Sequence, residues 1–409
     1  MGALSFFYKK SHFGFVSNLV IAFLASQFSW AQPYPSTRIL YEKDIKTGAA
    51  QTLKYLPLLK DKRVALIANA TSTINGVHLA DTLLSLKINI KKIFSPEHGL
   101  RGNSDAGEKI KNMKDEKTGL PIISLHGKSF KPSPADLADI DILVYDLQDV
   151  GVRFYTYIST MSYCMEAAAE SNKLFMVLDR PNPNGYYVDG PVLEVAFKSF
   201  FGLHPVPIVY GMTPGEYAQM VNNEGWLEKG VKCSLKIITL MNYNHADMYQ
   251  LPVRPSPNLP NMRSVYLYPS LGLFEGTVIS VGRGTENPFQ VLGHPDMKAS
   301  YSFVPRPMEG AKTPKYLGQS CFGHYLGDFA DSFIKDSKQI YLLWITGAYK
   351  QFKGKPFFEE NFNFHAGNAT LQQQIKAGVE EDKISESWQP EILKFKKIRK
   401  KYLLYKDFE

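Results

Sequence analysis

The chain has 409 residues, 44% of them apolar, and a formal net charge of +8. That is enough apolar chain for a large core and for two domains. It excludes a disordered or low-complexity protein, because the 25 prolines and 30 glycines are spread through separate motifs, and no fixed-period repeat marks a solenoid or propeller.

The N-terminus carries the pattern of an export signal. Lys9 and Lys10 give it positive charge, an apolar stretch runs from Phe13 to Leu24, and Ser29 and Ala31 place small residues before a cleavage point after Ala31. The apolar run is short for a membrane span, no cysteine follows it for lipid attachment, and no later stretch approaches the length of a transmembrane helix. The expectation is an exported protein, periplasmic or secreted, with no stable membrane insertion after signal cleavage. Losing Lys9 and Lys10 takes the charge from +8 to +6, and much of the remainder lies in residues 394–401, KFKKIRKK. Export argues against nucleic acid as a partner and points to anionic wall polymers, although a solvated helix face is the stronger reading of that run. The three cysteines, Cys164, Cys233 and Cys321, are too few and too scattered for a disulfide framework. No CxxC or HExxH motif suggests a metal site.

From about residue 62 short apolar runs alternate with amphipathic segments. Residues 64–68 predict a buried strand, 78–86 a helix, and 90–94 a second strand. Residues 140–145 predict a third strand, followed by a helix from Tyr157 to Glu170, and 174–178 a fourth strand. Thr213 is placed to cap a helix that begins at Pro214 and ends near Asn223, with Glu216 completing the cap. Residues 234–240 predict one more strand. Such alternation implies a mostly parallel sheet covered on both faces, with ligands bound beyond the carboxyl ends of its strands. A proline-rich stretch near residue 255 divides a first domain, 32–254, from a second, 255–409, whose mixed α+β pattern ends in a basic amphipathic helix near Trp388 to Tyr405.

Four polar, Gly- and Pro-rich segments follow strands: SPEHGLRG (95–102), DLQDVGVR (146–153), DRPNPNG (179–185) and GMTPGE (211–216). Glycoside cleavage needs a carboxyl group to protonate the leaving oxygen and a second group to act as nucleophile or to activate water. Glu97, held between Pro96 and Gly99, is the best acid candidate, with His98 beside it; its bland reading is a pair with Arg101. Asp149 is a second carboxylate, though a structural bridge to Arg153 competes. Tyr157 offers an aromatic face and a hydroxyl to a sugar. Asp179, Arg180 and Asn182 offer charge and amide groups on a stiff loop whose bland reading is a turn. In the second domain Glu275 and Arg283 lie in Gly-rich segments, and Arg283 is suited to a carboxylate unless it is spent on Glu286. Gly282-Arg283-Gly284 is only a fragment of a dinucleotide fingerprint, and neither a Walker A nor a GxSxG sequence occurs.

Six ordered motifs, SPEHGLRG, DLQDVGVRFYTY (146–157), LDRPNPNG (178–185), GMTPGEYA (211–218), PSPNLPN (255–261) and VGRGTENPFQ (281–290), together resemble the NamZ-type exo-β-N-acetylmuramidases from about Arg63 to Tyr405. The resemblance implies a Rossmann-like, mostly parallel sheet with helices on both faces, a smaller α+β C-terminal domain, and a cleft between them. It implies release of N-acetylmuramic acid from non-reducing ends of peptidoglycan glycan fragments, with no metal or other cofactor. The glutamate of the family's PEHG motif maps onto Glu97. Asp149 is the expected partner and Glu275 its rival. The muramic acid carboxylate calls for a cation such as Arg153, Arg180 or Arg283. Val278 departs from the pattern, standing where a polar residue is expected. A non-catalytic peptidoglycan-binding module using the same cleft is the alternative reading, and an esterase or amidase of the wall ranks last.

Overall fold

In the computed structural model, residues 38–97, 99–101, 113–127 and 129–409 are described. The expected export signal (1–31) and His98 lie outside them. Seven segments form the main sheet: Val64–Ala68 (β1), Ile90–Ser95 (β2), Met113–Lys114 (β3), Pro121–Ser124 (β4), Ile142–Asp146 (β5), Leu174–Leu178 (β6) and Ser234–Ile238 (β7). Their order is β7-β6-β5-β1-β2-β4-β3, parallel throughout except for β3 against β4.

The inner strands read as unbroken apolar runs because both of their faces are covered. Val64, Leu66, Ile142, Val144 and Met176 face one core, with Tyr55 and Leu59 of helix Thr52–Leu59 (α1) and Leu79 and Leu83 of Leu79–Ser85 (α2). The alternate residues Ala65, Ile67, Leu143, Tyr145, Phe175 and Val177 face the other. There they meet Ile158, Met161 and Met165 of Tyr157–Glu170 (α3) and Tyr217, Met220 and Val221 of Pro214–Asn223 (α4). Starting from β1 the chain winds outward through β2 and β4, then returns beside β1 as β5 and winds the other way through β6 and β7. The doubly wound order reverses between β1 and β5, and a ligand crevice belongs at that point, beyond the strand ends.

β6, α3 and the α4 cap match the sequence reading residue for residue. The Thr213 side chain accepts from Glu216 N, and the Glu216 carboxylate accepts from Thr213 N. Among the elements named above, α1, β3 and β4 escape that reading. Pro57 interrupts the helical pattern of α1, and β4 opens on Pro121 with only two isoleucines behind it.

Beyond residue 255 the fold is α+β, as expected. Helix Met262–Leu271 (α5) leads into a 3-10 turn, Gly272–Gly276. Strands Val291–His294 (β8), Tyr301–Phe303 (β9) and Cys321–Tyr325 (β10) form an antiparallel sheet of order β8-β10-β9. Helices Leu343–Gln351 (α6), Phe362–Ala366 (α7), Thr370–Ala377 (α8) and Glu381–Arg399 (α9) follow. The two halves interlock, and residues 39–409 pack as one unit. Arg153 donates to the carbonyls of Pro191, Val206, His365 and Ala366 at 2.8–2.9 Å. Trp388 Nε1 donates to Asp189. The end of α9 and the segment after it then return to the first sheet: Arg399 donates to Gly211 O, Leu404 N to Glu216, and Tyr405 to Asp179.

The basic run largely spends its charge locally. Lys394, Lys396 and Lys401 pair with Glu391, Glu409 and Glu224, while Arg399 is buried against Asp407 and Phe408. All three cysteines are buried and unpaired. Among the described residues no helix is long and apolar enough to cross a membrane.

Candidate active site

The strand-end segments gather on one edge, but most of their polar side chains bind one another. Loops at strand ends lack ladder partners, so buried side chains must satisfy the backbone and each other. Arg180 donates to Asp146 at 2.6 and 2.9 Å and to Thr73 O. Asp179 accepts from the Thr213 hydroxyl, Gly215 N and the Tyr405 hydroxyl. Asn182 donates to Met212 O and accepts from Asn184 N. Arg153 is spent on its four carbonyls, and burial pushes its guanidinium down to about 9, so it is still charged at neutral pH. Arg153, Asp179 and Asn182 are 0% exposed and Arg180 3%. The expectation that these four contact a ligand is therefore corrected: they lock the loops that carry the site.

Asp149, expected as the second catalytic group, is corrected in the same way. It is 0% exposed, and its partner Tyr210 belongs to the core under α3 and α4. Its Oδ2 accepts from Gly151 N at 2.6 Å and from the Tyr210 hydroxyl, while Oδ1 has no partner among the described residues. Burial raises its pKa to about 7, against the lowering effect of those two donors.

Glu97, Tyr157, Glu275 and Arg283 do come together. They line one cavity of about 820 Å³ including its open mouth. Glu97 arrives from the end of β2, Tyr157 from the first turn of α3, and Glu275 and Arg283 from the second half of the chain. Arg283 donates to Glu275 Oε1 from Nε at 3.0 Å and from Nη2 at 2.7 Å, and its guanidinium lies 5.1 Å from the Phe289 ring centroid. Burial works against the Arg283 charge, but the Glu275 carboxylate outweighs it and holds the guanidinium above its ordinary value. Glu275, not Glu286, is thus its partner. Arg101, the bland partner proposed for Glu97, is held by Asp81 and Asp115. The wall is aromatic: Phe154 meets Tyr268 edge-on at 5.3 Å, Tyr155 meets Tyr157 at 4.7 Å, and Tyr268 meets Phe289 at 4.9 Å. Such a lining offers apolar faces to a sugar ring while the few polar groups fix its orientation.

A second cavity of about 470 Å³ shares Tyr157 and Ser256 with the first. Asn69 and Thr71, which follow β1 at the point where the strand order reverses, line it together with Gly99 and Arg101. The loop after β2 therefore serves both cavities, with Glu97 in the larger and Gly99 and Arg101 in the smaller.

Several lining residues left no usable trace in the sequence. Asn361 and His365 join the cavity from α7, and the Asn361 Oδ1 is buried without a partner among the described residues. The His365 ring stacks on Phe201 at 4.4 Å, and burial lowers its pKa. His126 lies 3.8 Å from Glu97 and follows β4, itself unforeseen. A fifth strand-end segment, Leu125-His126-Gly127, was the signal that could have found it.

Comparison with known proteins identifies the family and the fold. A family model described as the N-terminal part of exo-β-N-acetylmuramidase NamZ matches residues 64–263, and the corresponding C-terminal model matches residues 266–405. The peptidoglycan β-N-acetylmuramidase NamZ of Bacillus subtilis (strain 168) is 36% identical over 431 residues, covering 97% of this chain and 100% of that protein. Two crystal structures of DUF1343 family proteins from Bacteroides fragilis NCTC 9343 share the fold. One has a TM-score of 0.83 at 46% identity and the other 0.75 at 30%, each alignment covering 89% of this chain and 99% of the other.

Proposed function

The chain belongs to the exo-β-N-acetylmuramidase NamZ family, and on that premise we propose that it is an exo-acting glycoside hydrolase releasing N-acetylmuramic acid from the non-reducing ends of peptidoglycan-derived glycans. The observation that carries this reading is the pair of carboxylates on one aromatic cavity, Glu97 from the first half of the chain and Glu275 from the second. Glu97 is the general acid. Its loop continues into the smaller cavity, so the muramic acid ring occupies the larger and the leaving sugar the smaller. Glu275, paired with Arg283, is the second group, acting as nucleophile or as base toward water. Two of the five Arg283 N–H groups are engaged by Glu275. The guanidinium then bridges that carboxylate and the muramic acid carboxylate. The Asn361 Oδ1 supplies an acceptor for the acetamido N–H.

The signal pattern of residues 1–31 supports export to the periplasm or beyond, where wall fragments lie. Purified protein should release 4-nitrophenol from the β-glycoside of N-acetylmuramic acid and far less from the N-acetylglucosamine analogue. On a disaccharide with a sugar leaving group, Glu97→Gln and Glu275→Gln should each lower kcat by about 10²-fold or more. Equal turnover of the two glycosides, or full activity in either variant, would overturn the assignment. Retention of muropeptides without any product would instead restore the non-catalytic alternative, which no observation favours.

A further inference from the structure

β4 runs parallel to β2 with Ser124 opposite Ser95, so the chain leaves both strands side by side. Leu125 N donates to Ser95 O at 2.8 Å and continues the ladder by one step. The Ser124 hydroxyl then accepts from His126 N at 3.2 Å, fixing the turn, and the imidazole sits edge-on to Phe130 with centroids 6.2 Å apart. Its Nε2 lies 3.8 Å from Glu97 Oε1, with the two side chains 15% and 26% exposed. Its Nδ1 is buried and has no hydrogen-bond partner among the described residues. A buried orphan N–H is rarer than a buried orphan acceptor, so the ring proton belongs on Nε2, the nitrogen that faces Glu97.

Resting on the reading of Glu97 as general acid, we propose that His126 is a positioning residue for it. The Nε2–H makes Oε1 the accepting oxygen of the carboxyl group and leaves the acidic proton on Oε2. That proton passes to the glycosidic oxygen as the bond from the anomeric carbon breaks, and the Nε2–H then stabilises the carboxylate left behind. The present separation is about 0.6–1 Å beyond a formed hydrogen bond. Bonds of this kind are often long before substrate binds and shorten in the complex. Among the described residues Arg283 also acts electrostatically on Glu97, and Glu275 engages its guanidinium.

The test compares two substrates that share the muramic acid ring. The 4-nitrophenyl glycoside leaves readily without protonation, whereas the disaccharide with a sugar leaving group depends on the acid. His126→Ala should lower kcat about 10²-fold on the disaccharide and less than about 3-fold on the nitrophenyl glycoside, with little change in KM. His126→Gln, which keeps an N–H donor, should recover about 10-fold of the loss. Thermal unfolding of both variants reports whether they fold. Equal losses on the two substrates would reduce His126 to a structural residue, and no loss on either would remove it from the mechanism. Glu97→Gln run alongside separates the two ideas. If it leaves disaccharide turnover intact, the assignment of Glu97 has failed, whatever His126 does.

Discussion

Replacing Asp149 with Asn separates a catalytic carboxylate from a buried structural one. In the unfolded chain this carboxyl ionises near pH 3.8, whereas in the fold burial raises it to about 7. The unfolded state therefore loses its proton first. The native state is fully favoured below the unfolded value, and stability drains away as pH rises toward 7. With a folded pKa near 7, the loss from this one group between pH 4.5 and 7.5 is about 3 kcal/mol. Asn carries no proton to lose. Urea unfolding of the native protein and of Asp149→Asn at both pH values should show the variant gaining about 3 kcal/mol relative to the native protein as pH rises. The absolute effect at one pH mixes in the cost of placing an amide at the orphan Oδ1 position. The difference between the two pH values cancels that cost. A pH-independent gap, within about 1 kcal/mol, would refute the buried, protonated aspartate. On the disaccharide with a sugar leaving group, the folded variant should keep kcat within about 10-fold, against the far larger losses expected of Glu97→Gln and Glu275→Gln.

Four further outcomes are expected. Gly367 has φ +85°, and a Cβ there would sit 2.4 Å from Arg153 Nη2, so Gly367→Ala should destabilise by more than about 2 kcal/mol in urea unfolding. Gly354 has the same φ with nothing within 4 Å of an added Cβ, so Gly354→Ala should cost only the backbone term of about 1 kcal/mol. Thr213→Ala removes the α4 cap and one donor to Asp179 and should lower stability by about 2 kcal/mol, read from the urea midpoint. Arg283→Lys should cut the preference for muramic acid over N-acetylglucosamine glycosides about 10-fold in kcat/KM; an unchanged ratio would place carboxylate recognition elsewhere.

What the sequence conveyed well is what local chemistry determines. The run at residues 174–178 could only be a doubly covered strand, and Thr213-Pro214 with Glu216 could only open a helix. Glu97 was legible because it follows a strand and is held between proline and glycine. The remaining motif residues show why polarity alone misleads. Asp179, Arg180 and Asn182 have the composition of a binding loop, yet nothing in their order says whether they face a cleft or the neighbouring loops. Asp149 was the expected partner of Glu97, with Glu275 its rival. The choice depends on how Gly272–Gly276 is laid across the first domain, a contact between residues nearly 180 apart in the chain. His126 was lost with its strand, since two isoleucines behind a proline carry too weak a period to register.

The return of the segment after α9 to the first sheet has a consequence for biosynthesis. Asp179 and Glu216 are interior carboxylates, and they receive the Tyr405 hydroxyl and the Leu404 amide only after residue 405 has been made. Until then the loops beyond β6 and ahead of α4 lack two of their donors. A nascent chain halted before that point would present a nearly finished Rossmann layer with an unsatisfied acidic edge. Folding and quality control are thereby coupled to completion of the segment. Fusing a tag directly after α9, in place of residues 400–408, should reduce the yield of folded protein even though no cavity residue is touched.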